Sequence, residues 1–279
     1  MKKYNKTNQE VSKLITKNYS TSFYTASLIF PPTIRKAIFS IYGFVRFADE
    51  IVDTFHDYNK AELLNKFEQD LKLSINEGIS LNPVLHSFVM VIKEYNIDYH
   101  LIDAFMESMR KDLSINKYST TSEINEYIYG SAEVVGLMCL KVFCKGNNKQ
   151  YNSLKDSAKN LGAAFQKVNF IRDLNEDINE LNRTYFPNIK NNTFDENTKS
   201  QIIKDIENDF SQAYEGIKKL PKNSKTAVYI AFLYYKQLLK KIKKTPANII
   251  LKKRIRVPNY HKFLILKKGV FLCKLNLIK

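Results

Sequence analysis

Apolar residues recur at i, i+3, i+4 and i+7 along most of the chain, and this period predicts a succession of amphipathic helices. In the first half it covers VSKLITKNY (11–19), RKAIFSIYGFVRFADEIVDTF (35–55), AELLNKFEQDLKLSI (61–75), NPVLHSFVMVIKEY (82–95) and DYHLIDAFMESMRKDL (98–113). The second half continues with EINEYIYGSAEVVGLMCLKVF (123–143), a long stretch over 151–182, then 197–220 and 225–242. Between them fall Pro31 and Pro32, the Asn82 and Pro83 pair and the turn from Asn96 to Asp98, where a fixed φ or a turn-forming side chain interrupts a helix. Alternating strand patterns are scarce, and no Gly- or Ser-rich linker divides the chain. The expectation is all-α, one domain over residues 1–279.

Composition narrows the class without changing that picture. With 44% hydrophobic residues, eight glycines and seven prolines, 279 residues can bury a large core, which excludes disordered and fibrous chains. Cys139, Cys144 and Cys273 make neither a disulfide framework nor a CxxC site, so reduced core thiols in a cytoplasmic protein are expected. His56, His86, His100 and His261 lack the spacing of a zinc hydrolase. The opening MKKYNKTNQEVSKL has charge but no apolar run behind it, and no stretch is long and apolar enough to span a bilayer.

Charge changes the picture more. Sixteen of the 44 Lys and Arg residues, and none of the 28 acids, lie from Lys222 onward, so the whole net charge of +16 belongs to the last fifth of the chain. Such a tail attracts polyanions: a phosphorylated substrate, anionic lipid or nucleic acid. HKFLILKKGVFLCKLNLIK mixes Lys with Phe, Leu and Ile as interfacial segments do. Residues 252–279 are therefore read as a basic segment contacting a membrane surface, against the alternative of a merely solvated face, and no nucleic acid is expected.

The candidate chemistry lies in two acidic helices. Asp49 and Asp53 are four apart, as are Asn169, Asp173 and Asp177, so each set shares a helix face with neighbours roughly 6 Å from each other. Like charges at that spacing repel, and no basic residue follows at the position that would answer them. A lone DxxxD is weak, since exposed helices carry it by chance. Two of them, preceded by Arg46 and Arg172 and set among Phe39, Tyr42, Phe44 and Phe47, are not typical of a solvated surface. Facing each other across a bundle they would select a hard cation such as Mg²⁺, which keeps substrate phosphates as ligands, while the arginines grip phosphate oxygens. Glu50, Glu176 and Glu180 are expected to be solvated.

These motifs are similar to those of the squalene and phytoene synthase family, the head-to-head prenyl transferases, over nearly the whole chain. Four blocks carry the likeness: YSTSFYTASLIFPPTIRKAIFSIYGFVRFADEIVD (19–53), YIYGSAEVVGLM (127–138), LGAAFQKVNFIRDLNEDINELNRTYFP (161–187), and AVYIAFLYYKQLLKKI (227–242) followed by RIRVP (254–258). The resemblance, greatest to bacterial phytoene synthases, implies an isoprenoid synthase helical bundle around a central cavity. It also implies Asp49, Asp53, Asp173 and Asp177 as Mg²⁺ ligands, with Mn²⁺ as a substitute and Asn169 assisting. Arg46, Arg172, Ser20 and Ser22 would hold diphosphate, and Tyr42, Gln166 and Tyr234 would line the site, with Phe23 and Tyr129 as further cavity residues. Two departures stand out. Thr21 occupies the place between the serines where the family often has a base, so Arg254 or Arg256 is expected to supply that contact, and the first motif reads DExxD in place of DDxxD.

Family members couple two identical prenyl diphosphates through a cyclopropylcarbinyl diphosphate, then either lose a proton or take hydride from NADPH. The resemblance implies a phytoene synthase using two geranylgeranyl diphosphates in carotenoid biosynthesis without NADPH. The alternatives are a squalene or dehydrosqualene synthase acting on farnesyl diphosphate, and a non-catalytic module that binds a prenyl diphosphate or a membrane.

Overall fold

Pro32 and Pro83 open helices instead of ending them, because a first-turn residue needs no intrahelical N–H and proline's φ already suits the helix. The computed structural model describes residues 1–179, 183–187, 189, 194–275 and 278. Its first half runs α1 (Lys2–Tyr19), α2 (Thr21–Ser27), α3 (Pro32–Asp53), α4 (Lys60–Glu77), α5 (Pro83–Tyr95) and α6 (Tyr99–Asp112). Its second half runs α7 (Thr121–Ile128), a π turn (Tyr129–Glu133), α8 (Val134–Phe143), α9 (Asn148–Asn179), α10 (Glu196–Lys219), α11 (Lys222–Lys244), α12 (Ala247–Ile250) and α13 (Asn259–Lys274). The described residues contain no strand, only a single backbone bridge between Lys117 and Thr184. None of the described helices is long and apolar enough to cross a membrane.

Local chemistry explains most boundaries. The Asn82 side chain accepts from the Val84 and Leu85 N–H groups, and Thr120 with Glu123 closes a capping box on α7. Gly78 ends α4 at φ 79°, a left-handed conformation that costs glycine nothing. The periodicity over 123–143 predicts one helix, but the π turn divides it. There Gly130 lies so close to α6 that a Cβ would stand 2.7 Å from the Ala104 carbonyl oxygen.

α3 runs through the core. Phe44 is fully buried, with its ring 4.1 Å from that of Phe88, 5.3 Å from Phe105 and 5.9 Å from Phe67. Truncating such a ring to Ala costs about 3–5 kcal/mol, so this cluster fixes the helix that carries the first aspartate pair. On the other side, α9 crosses the π turn and α8 at two glycines. A Cβ on Gly162 would lie 2.8 Å from the Ala132 oxygen, and one on Gly136 would lie 3.1 Å from the Ala158 oxygen. This close crossing holds α9, which carries the second aspartate pair.

Candidate functional site

α2, α3, α8, α9, α10, α11 and α13 enclose a cavity of about 900 Å³. That is large for a small-molecule site, and most of its wall is apolar. Along α9 the lining changes character, from Leu154 through Ala158, Leu161 and Phe165 to Gln166, Asn169 and Arg172. Eighteen residues at 1.5 Å each make this wall about 27 Å long. Phe30 and Phe143, stacked at 5.3 Å, and Leu220 belong to its apolar part. Ser20, Ser22, Phe23, Tyr42 and Tyr234 also line it, with Phe23 stacked on Tyr42 at 4.9 Å.

Beyond the polar end, arginines hold the aspartates. Arg46 lies 2.7 Å from Asp49, donates from Nε to Glu50 at 3.1 Å and stacks 4.6 Å over the Tyr19 ring. Arg172 grips Asp173 with two bonds of 2.9 and 2.5 Å. Asp177 and Asp49 stay hard to ionise all the same. Asp177 is 8% exposed, and burial, reinforced by Asp173, pushes its carboxyl up to about 7. Asp49 moves upward for the same two reasons, desolvation first and the charge of Asp53 second. Glu50, expected in solvent, is tied to Arg46, and Glu176 lies 3.6 Å from Arg254. Glu180 lies outside the described residues.

Sequence reasoning missed Arg183, although it stands in the quoted RTYFP block. Its guanidinium reaches Asp53 at 2.8 Å and the Asp112 carbonyl at 3.1 Å, while its own N–H donates to the Asp177 carbonyl at 2.7 Å. It thus ties the two aspartate helices together. Tyr185 explains the placement: its ring stacks on Phe170 at 3.9 Å and on Tyr127 at 5.5 Å, anchoring the loop to α9 and α7. Asp112, pushed by burial up to about 7, accepts from the Tyr127 hydroxyl at 3.0 Å.

One expectation needs correction, and two details of the polar end were not foreseen. Tyr129 does not line the cavity; its ring lies 5.6 Å below the Lys159 ammonium. The π turn breaks the 3.6 register on which Tyr129 would have shared a face with Ala132 and Gly136. The cation that reaches the serines is Lys262, which the sequence reading did not single out. Arg254 binds Asp173 at 2.8 Å, whereas Lys262 of α13 reaches into the cavity and donates to Ser22 Oγ at 2.9 Å. Finally, among the described residues no three acidic, His or Cys side chains converge into a ready metal cage; Asp49, Asp173 and Asp53 are each paired with an arginine instead. Tyr235 was also overlooked: its hydroxyl donates to Asn169 at 3.2 Å, and its ring lies 3.9 Å from Phe165.

A sequence model of the squalene/phytoene synthase family matches residues 16–261. The chain is 29% identical to a phytoene synthase of Arthrospira platensis, over 92% of this chain and 90% of that one. It is 22% identical to a 4,4'-diapophytoene synthase of Staphylococcus haemolyticus, over 91% and 93%. The crystal structure of a dehydrosqualene synthase superposes with a TM-score of 0.83 at 23% identity, covering 97% of this chain and 98% of that one. The helical bundle described above is thus the isoprenoid synthase fold.

Proposed function

Because the chain belongs to the squalene/phytoene synthase family, whose members are prenyl transferases, we propose that it joins two geranylgeranyl diphosphates head to head into phytoene. The observation that carries this reading is the long apolar cavity with cationic and amide groups at one end, a shape suited to a prenyl chain with a diphosphate head. Phytoene synthases among its relatives support the C20 substrate. A C30 product is the second reading, favoured by the relative named 4,4'-diapophytoene synthase.

The residues fit a divalent ion in donor chemistry: Asp49, Asp53, Asp173, Asp177 and Asn169 offer oxygen only, as Mg²⁺ or Mn²⁺ prefers. Among the described residues these side chains form no closed cage, which leaves room for an ion that completes its shell with diphosphate oxygens. When bound, it supplies positive charge to the departing diphosphate. Arg46, Arg172 and Lys262 hold phosphate oxygens, and Ser20 and Ser22 add hydroxyls. The faces of Phe23, Tyr42, Phe165 and Tyr235 stabilise the allylic cation left behind, while the apolar wall keeps water from quenching it. Gln166 and Tyr234 orient the chain near its head. The same reading takes residues 1–279 as one cytoplasmic domain that meets a membrane surface.

Mass spectrometry of products formed from farnesyl or geranylgeranyl diphosphate with Mg²⁺, with and without NADPH, tests it. A C40 hydrocarbon made without NADPH is the expected result. A C30 product would move the assignment to the second reading, and no product from either substrate would leave a non-catalytic module.

A further inference from the structure

A helix that packs one side against a protein usually turns polar residues outward, but α13 is apolar on both sides. Its inner side, with Ile265 and Leu266, faces the cavity. Its outer side presents Tyr260, Phe263, Leu264 and Phe271, which are 63, 54, 55 and 61% exposed. Their spacing puts them on one stripe, and the exposed Lys267 and Lys268 stand within it. Phe263 both lines the cavity and is more than half exposed, so the stripe borders the cavity's opening.

We propose that this outer stripe of α13 docks on the surface of an anionic lipid bilayer and sets the cavity opening against it. Charge selects the occupant. No acid occurs from Lys222 onward, so the face complements anionic headgroups, whereas the same face of a second copy would meet it with like charge. Exposed Leu264 and Phe271 add nothing to phosphate contacts with a nucleic acid, but bury naturally at an acyl boundary between lysines. The idea rests on the cavity being a prenyl-chain site, since an opening at the bilayer lets such a chain pass without crossing water. Docking is read without turnover, so the two readings fail separately.

The test is flotation of the purified full chain with phosphatidylglycerol–phosphatidylcholine vesicles and with phosphatidylcholine alone. The wild type is expected to float with the anionic vesicles. Leu264→Ser with Phe271→Ser should lower the bound-to-free ratio roughly tenfold or more, two exposed apolar side chains being removed. Lys267→Glu with Lys268→Glu should bring anionic vesicles down to the level of phosphatidylcholine. These lysines are exposed, so this pair tests the face even if the first pair fails to fold. Both variants should keep wild-type turnover in detergent solution. A wild type that stays unbound, or variants that float as well as it does, overturns the proposal. So does a wild-type dimer that the Leu264→Ser, Phe271→Ser pair splits, without flotation of either protein.

Discussion

Replacing Arg183 by Met keeps the aliphatic stem and the backbone N–H bond to Asp177, and removes the fork that ties the segment after α9 to Asp53 of α3 and to the Asp112 carbonyl of α6. The size of the effect follows from its partners. The guanidinium is 9% exposed and Asp53 is 33% exposed, so the ion pair is partly screened and contributes about 1 kcal/mol. Losing the bond to the buried Asp112 carbonyl leaves an acceptor without a donor, at about 1–3 kcal/mol. The expected destabilisation is about 3 kcal/mol, since removing the cation also leaves Asp177 and Asp112 with less neutralisation. In a chain of this size that corresponds to a Tm lower by about 6–12 °C. Arg183→Lys keeps the charge but cannot reach both acceptors at once, so it should melt between the two. Differential scanning calorimetry in metal-free buffer reads all three proteins. Adding Mg²⁺ with inorganic diphosphate should narrow the gap, because the ion neutralises the same carboxylates. If Arg183→Met and the wild type melt together in metal-free buffer, the bridge has no energetic role and the reasoning fails.

Four further outcomes follow from the same geometry. Ser27 lines the cavity, is 1% exposed and has a hydroxyl without a partner, so Ser27→Phe forfeits no hydrogen bond while filling space; turnover of geranylgeranyl diphosphate should fall more than that of farnesyl diphosphate, and equal losses would count against Ser27 limiting chain length. Asp177 has its carboxyl raised from 3.8 to about 7, so a proton competes with any cation below that pH: Mg²⁺ affinity should rise with pH up to about 7 with proton release, whereas a flat calorimetric profile would exclude the competition. In the metal-free chain the same shift makes stability fall as pH rises from about 4 to 7, because there the folded state holds a proton that the unfolded chain has lost. Mg²⁺ and inorganic diphosphate together should raise Tm by more than the sum of their separate effects, and simple additivity would show that neither needs the other to bind.

Much of this was legible in the sequence because period and charge are local properties. Helices over 61–75 and 82–95 differ from α4 and α5 by no more than two residues at either end, since each is bounded by a side-chain cap, a proline or a left-handed residue. Tyr42, Gln166, Asn169 and Arg172 all line the cavity, where the family resemblance put Tyr42 and Gln166 and the helical spacing put Asn169 on the aspartate face of α9. What stayed hidden depends on contacts far apart in the chain. The π turn that removes Tyr129 from the cavity answers to α6, through Gly130. Arg183 meets Asp53 across 130 positions, and Lys262 meets Ser22 across 240. A usable signal existed for each: an arginine followed by two buried aromatics in RTYFP, and a lysine one turn into a helix just after the RIRVP block.

The arginine pairs explain how this chain tolerates four aspartates around a partly buried site before any substrate arrives. Arg46, Arg172, Arg183 and Arg254 each lie within hydrogen-bond distance of one of them, and burial still leaves Asp177 reluctant to ionise. On the proposed reading, Asp49, Asp53, Asp173 and Asp177 would have to give up their arginines, and Asp177 its proton, to hold an ion, and among the described residues they form no closed cage that would compensate. A bound diphosphate would change that balance, since it would offer its oxygens both to such an ion and to Arg46, Arg172, Arg183 and Arg254 as the aspartates release them. On the proposed reading, the charge needed to ionise a prenyl diphosphate would therefore be assembled only once that diphosphate is in place, beside the stacked rings of Phe23 with Tyr42 and Phe165 with Tyr235.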